Sequence, residues 1–240
     1  MTSARFLSGV ALATLASAAA AAEGDYPSKP VKIVVGFPAG QGTDTIARAM
    51  AVKLQAELGQ VFIVDNKPGA GGILGQQAVA TAAPDGYTIL LTSAGPMAVN
   101  PGVYEKLPYD PVKDYAPLGG VINVPLVMVA TPQFAAKNLK EMVALAKSKP
   151  GEINFASAGN GVTNHLAMEM FSQAAGIKML HVPYKGTPAA LTDLMAGRVS
   201  VMFDTPVAVL PFLKDGRLKP IAVGGTTRNA SLPDVPTVAE

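Results

Sequence analysis

Short β-branched runs that end on a glycine-rich turn and pass straight into a helix-patterned segment recur along this chain. That order confines it to a small set of folds. Residues 31–37 form the first such run, closed by Pro38-Ala39-Gly40. Residues 43–58 follow with Ile46, Met50, Leu54 and Leu58 along one helix face, flanked by Ala47 and Ala51. Thr43 or Asp44 is placed to cap this helix, and Gly59 to stop it. Residues 61–65 read as the next strand, 72–82 as a helix and 88–92 as a strand. Strands that alternate with helices in this way pair in parallel through right-handed crossovers.

Residues 100–117, rich in Pro, Tyr and Asp, read as a long surface connection. Residues 118–130 read as two strand pieces broken at Asn123-Val124-Pro125. A second alternating set follows. Helices are predicted over 138–149, 164–175, 187–196 and 207–215. Strands are predicted over 153–156, 178–182, 199–204 and 218–223. The chain therefore predicts two α/β units joined near residues 120–126.

Composition narrows what such a fold does. In 240 residues, 49% are hydrophobic and 15% charged, enough apolar material for a packed core. The formal net charge of +2 gives no field suited to nucleic acid, and 6% aromatics without Trp give no stacking platform. There is no Cys, which excludes disulfides, thiolate metal sites and Cys nucleophiles. Residues 1–22 have the three parts of an export leader. Arg5 supplies the positive charge, a mostly apolar stretch follows, and Ala20-Ala21-Ala22 fits the cleavage rule before Glu23. The apolar run is too short to span a membrane, and no other segment reaches that length without charge or Pro.

Ligands of open α/β sheets sit outside the carboxyl ends of the strands. Three glycine-rich turns fall there: Gly40-Gln41-Gly42-Thr43-Asp44, Lys67-Pro68-Gly69-Ala70-Gly71-Gly72 and Ser157-Ala158-Gly159-Asn160-Gly161. Glycine lets main-chain N–H groups approach a ligand, and helix N-termini favour anions. Any one turn alone reads as simple chain reversal, but three together point to an anion site. Tyr184-Lys185-Gly186 also ends a strand and opens a helix, where Lys185 either meets an anion or is merely solvated. Asp204 either orients a ligand hydroxyl or amine or caps the following helix.

Catalytic and cofactor signatures are thin. Gly69 to Gly75 misses the dinucleotide spacing by one residue, and no phosphate-binding lysine motif occurs. His165 and His181 are the only histidines, too few for a metal cluster, and structural roles are expected for both. No nucleophile elbow surrounds Ser93 or Ser157. Neither cofactor, metal nor catalytic residue is expected. The enzyme alternative, a hydrolase or transferase using His165 or Asp204, predicts turnover that is lost in His165→Ala.

The motifs also resemble a known family. Tyr26-Pro27-Ser28-Lys29-Pro30, Phe37-Pro38-Ala39-Gly40 with Thr43-Asp44, and Asn66 through Gly72 are similar to the Bug family, the periplasmic receptors of tripartite tricarboxylate transporters. The resemblance continues through Pro84-Asp85-Gly86-Tyr87, Tyr109-Asp110-Pro111, Ser157 to Gly161 with His165-Leu166, Val182 to Gly186, and Leu232 to Thr237. It implies a two-lobed α/β fold of the periplasmic-binding-protein (Venus flytrap) type, each lobe a mainly parallel sheet flanked by helices. It also implies a non-enzymatic, monomeric receptor that captures a small carboxylate and hands it to one large and one small membrane subunit. A role as ligand sensor for a signalling partner is the alternative.

On the family pattern, lobe 1 spans 23–123, lobe 2 spans 124–222, and 223–240 return toward lobe 1. The expected ligand contacts are Gly40 to Asp44, Gly69 to Gly72, Ser93, Ser157, Gly159, Asn160, Gly161, His165, Tyr184, Lys185 and Asp204. Two departures stand out. Gln41 replaces a common Gly, and the chain stops at Glu240 where relatives run on by several tens of residues, so an incomplete first lobe is expected.

Overall fold

The computed structural model describes residues 26–240, so the leader expected over 1–22 lies outside the described residues. The molecule has two lobes, each built on its own sheet. In the first, β1 (Val31–Val35) is central, with β2 (Phe62–Asn66) and β3 (Thr88–Leu91) parallel on either side. Helix α1 (Gly42–Leu58) joins β1 to β2, and α2 (Ile73–Ala80) precedes β3. The core is Val31, Ile33, Val35 and Phe62 of the strands against Ala47 and Ala51 of α1. The sequence placed Ile46, Met50, Leu54 and Leu58 on the buried face. Instead the alanine stripe is innermost and Leu58 is exposed. Small side chains let the helix lie close on the β-branched strands, and the larger residues flank the contact.

The second sheet has the order β6-β5-β7-β4-β8, formed by β4 (Leu126–Ala130), β5 (Asn154–Ser157), β6 (Leu180–Pro183), β7 (Val201–Asp204) and β8 (Lys219–Gly224). β5 is parallel to β6 and β7, whereas β4 is antiparallel to both β7 and β8. Both faces are covered. Met128 and Ala130 of β4 join Met142, Phe155, Met168 and Phe203 on one face; Val127 and Val129 join Leu191, Leu194, Met202 and Val209 on the other. This double burial explains why the strands read as continuous apolar runs. Helices α4 (Leu139–Ser148) and α5 (Thr163–Ala175) supply the first layer; α6 (Thr187–Met195) and α7 (Pro206–Lys214) supply the second.

Three segments differ from the sequence reading. Residues 118–122 form no strand: Leu118 is 85% exposed, and the segment pairs with neither sheet. The connection at 100–117 begins as a short helix, α3 (Asn100–Val103), and is pinned inward by tyrosines. Tyr109 is buried with its hydroxyl donating to the Pro96 carbonyl, and Tyr115 donates to the Gln76 carbonyl at 2.9 Å. The last segment, expected to lead back to the first lobe, lies on the second. Val223 N donates to Pro236 O at 2.8 Å, Val238 N donates to Val223 O at 2.8 Å, and Val235 packs in the second lobe's core. Among the described residues no helix is long and apolar enough to cross a membrane.

Candidate functional site

Six strand-to-helix turns meet along the seam between the lobes. The turns after β1, β2 and β3 come from the first lobe, and those after β5, β6 and β7 from the second. All lie at the carboxyl ends of parallel-paired strands, where ligand crevices form. The lobes touch so closely that side chains are excluded. A Cβ on Gly42 would stand 2.4 Å from Thr205 Oγ1, and one on Gly71 would stand 2.8 Å from the Asn160 carbonyl. Gly71 also has a φ of +62°, which favours glycine by itself.

Two adjoining cavities occupy the seam, with Phe37 and Ala158 lining both; the larger is termed the outer cavity and the smaller the inner chamber. The outer one, of about 530 Å³, is lined by Phe37, Pro38, Pro68, Gly69 to Gly72, Tyr104, Gly159, Asn160 and Pro183 to Gly186. Lys185 is the charged residue of this lining. The inner chamber, of about 70 Å³, is lined by Gln41, Gly42, Thr43, Ser93, Thr163, Asn164, Thr187, Asp204 and Thr205, among others.

The inner chamber gathers the N-termini of α1, α5, α6 and α7, with cap residues Gln41, Val162, Gly186 and Thr205. None of these four cap residues makes a side-chain cap hydrogen bond, whereas Asn138 caps α4 through Glu141 N. Partial positive charge from four helix ends therefore converges on one small space.

Asp204 is fully buried in the chamber wall. Its carboxylate accepts from Thr187 Oγ1 at 2.7 Å and from Thr205 N at 2.7 Å, tying α6 to α7. Burial pushes its pKa up, against the hydrogen bonds from Thr187 and Thr205 that favour the anion.

Several expected contacts are committed elsewhere. Asp44 accepts from Gly40 N at 2.9 Å, from Asn66 Nδ2 at 2.9 Å and from Arg48 Nε at 3.0 Å. Burial would raise its pKa, but Arg48, Gly40 and Asn66 together hold it below the usual carboxylate range. It lines neither cavity; it braces the first turn against β2. Gly40, Ser157, Gly161 and His165 also line neither. Ser157 Oγ lies 2.6 Å from His181 Nε2 and accepts from Gly159 N at 3.2 Å. His165 Nδ1 accepts from Gly161 N at 3.3 Å.

The two imidazoles stack at 4.0 Å, with Phe155 beneath His181 at 4.8 Å. Burial and the neighbouring His165 push His181 down to about 4, and burial lowers His165. Ser157 and His181 make a hydroxyl–imidazole pair that sequence reading did not join. Ser157 is fully buried and His181 partly buried, and the pair shapes the 157–161 loop. Tyr184 lines the outer cavity. Its hydroxyl donates to Asp193 Oδ2 at 2.7 Å, and burial with that carboxylate raises its pKa to about 12.

Thus the outer cavity collects the expected Gly69, Ala70, Gly71, Gly72, Gly159, Asn160, Tyr184 and Lys185. The inner chamber collects Gln41, Gly42, Thr43, Ser93 and Asp204. Sequence reasoning missed Thr163, Asn164, Thr187 and Thr205 in the chamber and Tyr104 in the mouth. The first four open or cap helices, a signal that becomes a site only when topology sets those helix starts side by side.

Comparison with known proteins agrees with this architecture. Residues 46–240 match the model of the tripartite tricarboxylate transporter family receptor. BugT of Bordetella pertussis is 38% identical over 233 residues, covering 97% of this chain and 72% of BugT. The structure of the periplasmic binding protein BugD superimposes with a TM-score of 0.84 at 39% identity, covering 88% of this chain and 71% of that one. The Rhodopseudomonas palustris protein Rpa4515, solved with adipate, gives 0.87 at 34% identity, covering 90% and 72%. With two lobes meeting at a seam of helix N-termini and this match over most of its length, the chain belongs to the Bug family of tripartite tricarboxylate transporter receptors.

Proposed function

We propose that this chain is a periplasmic receptor that takes up a small carboxylate between its lobes and delivers it, chemically unchanged, to the membrane subunits of a tripartite transporter. The observation that carries the reading is the ring of four helix N-termini around the inner chamber, of which those of α1, α5 and α7 receive no side-chain cap. Each such end contributes about 0.3–1 kcal/mol toward an anion at the surface and up to ~2 when partly buried. Hydrogen bonds to the anion add about 1.5–3 kcal/mol each. Together these reach the roughly −8 kcal/mol of micromolar binding after the entropy of capture.

At about 70 Å³ the chamber has room for a carboxyl group rather than a whole acid; liquid water takes about 30 Å³ per molecule. The rest of the ligand extends into the outer cavity, toward Tyr104, Tyr184 and Lys185. The adipate carried by Rpa4515 supports an elongated dicarboxylate as the ligand class.

The test is thermal unfolding with acetate, succinate, adipate and citrate, with adipamide as the neutral control. A ligand at a hundredfold its Kd stabilises by about 2.7 kcal/mol, which raises Tm by about 5–11 °C at this chain length. A shift with an acid that mass spectrometry recovers unaltered, and none with adipamide, is expected. A cooperative melt that no acid moves would remove the reading.

A further inference from the structure

The start of α6 lacks a cap of its own. Its cap position is Gly186, which has no side chain, and a Cβ there would stand 2.6 Å from Pro38 Cγ of the other lobe. No larger residue therefore fits at 186 while the lobes are together. The first amide of the helix, Thr187 N, is nevertheless satisfied. It donates to Gln41 Oε1 at 3.3 Å, across the seam and 146 residues away in sequence. Gln41 is itself the cap residue of α1, but its side chain makes no cap bond there. Its backbone φ of −76° is ordinary extended geometry, so the position does not require glycine. Among the described residues, the only other side-chain hydrogen bond between the lobes is Tyr104 Oη to the Asn160 carbonyl at 3.4 Å.

We propose that Gln41 caps α6 in trans and acts as an interlobe latch. The cap exists only when the lobes are closed, so the amide at the start of α6 favours closure before any ligand arrives. A protein oxygen sits where a ligand oxygen would otherwise be drawn. Gln41 thus also leaves the ligand the ends of α1, α5 and α7. The latch does not depend on what the seam binds.

The chain has no Cys, so spin labels go only where they are introduced. Lys53→Cys on α1 and Lys178→Cys in the second lobe are both exposed. Double electron–electron resonance on the ligand-free chain reads the closed and open distance populations. Gln41→Gly removes the latch, and Gln41→Met keeps the length while removing the acceptor. Helix content and Tm are measured in parallel to confirm that both variants fold.

A cap or single hydrogen bond of this kind corresponds to roughly a fivefold change in an equilibrium. We expect a closed population in the parent, reduced about fivefold relative to open in both variants. Identical distance distributions in all three proteins, or a parent that is wholly open without ligand, would overturn the latch. Because no ligand is present, either result leaves the carboxylate reading to its own test. A fall in Gln41→Gly alone would also overturn it, since bulk rather than the hydrogen bond would then hold the seam.

Discussion

Adding a single methyl group at Gly42 tests whether the tight seam belongs to the ligand-bound state. In Gly42→Ala the new Cβ stands 2.4 Å from Thr205 Oγ1 and 3.4 Å from both Thr205 Cβ and Cγ2. To turn away, Thr205 must give up the contact of its Oγ1 with Asp204 at 3.3 Å, and its β-branched side chain has few χ1 positions to choose from. The seam must therefore open by about 1 Å, and overpacking of this kind costs about 1–3 kcal/mol. The cost falls on the closed form alone, since Thr205 belongs to the opposite lobe. The closed-to-open ratio, and with it ligand affinity, is expected to fall about 5- to 150-fold. Alanine at the first residue of α1 is also expected to raise the stability of the ligand-free protein by up to about 1 kcal/mol. Weaker binding with equal or higher Tm is the signature, read by titration calorimetry with the acid that gives the largest thermal shift. Gly102→Ala, which meets nothing within 4 Å, is the control. Affinity unchanged within twofold in Gly42→Ala would refute the argument that these lobes close on one another at this point.

Two further outcomes follow from the braces behind the site. Asp44→Asn removes the charge that holds Arg48, Gly40 and Asn66, and a loss of about 1.5–3 kcal/mol is expected in urea unfolding at pH 7. Because the folded pKa of Asp44 is depressed, its stabilisation is complete above about pH 4 and is lost as pH falls through the lower folded value, so parent and variant should converge in acid. For His181 the folded pKa of about 4 lies below the unfolded value near 6.5, so the unfolded chain binds more protons between them. Stability is therefore full above about pH 6.5 and falls, by about 1–3 kcal/mol, as pH drops to 4. His181→Phe keeps the stack on Phe155 and His165 and should flatten that slope; an unchanged urea midpoint profile would contradict the assignment.

The alternation of strands and helices was legible because both periodicities are local. So were the glycine turns, since a Gly-rich stretch between a β-branched run and a helix start has few other uses. Other features were illegible for identifiable reasons. Asp44, Ser157 and His165 stand beside those turns in sequence, and only the fold shows their polar atoms committed to Arg48, His181 and Gly161. Thr163, Thr187 and Thr205 each look like an ordinary helix beginning. They face one chamber because β5 lies between β6 and β7, an order no local pattern reveals. The 118–122 run has the composition of a strand but lacks a neighbour to pair with, and pairing is a property of the whole sheet.

The four helix ends of the inner chamber have an evolutionary consequence. On the proposed function, a seat for an acid group made from main-chain amides is indifferent to most side-chain replacements, and is damaged chiefly by changes that add bulk, as at Gly42. The outer cavity is different: Tyr104, Tyr184 and Lys185 are ordinary side chains whose exchange leaves the seat standing. Descendants of such a chain can therefore drift from one acid to another by altering the mouth, one residue at a time, without passing through a form that has lost its hold on acids altogether.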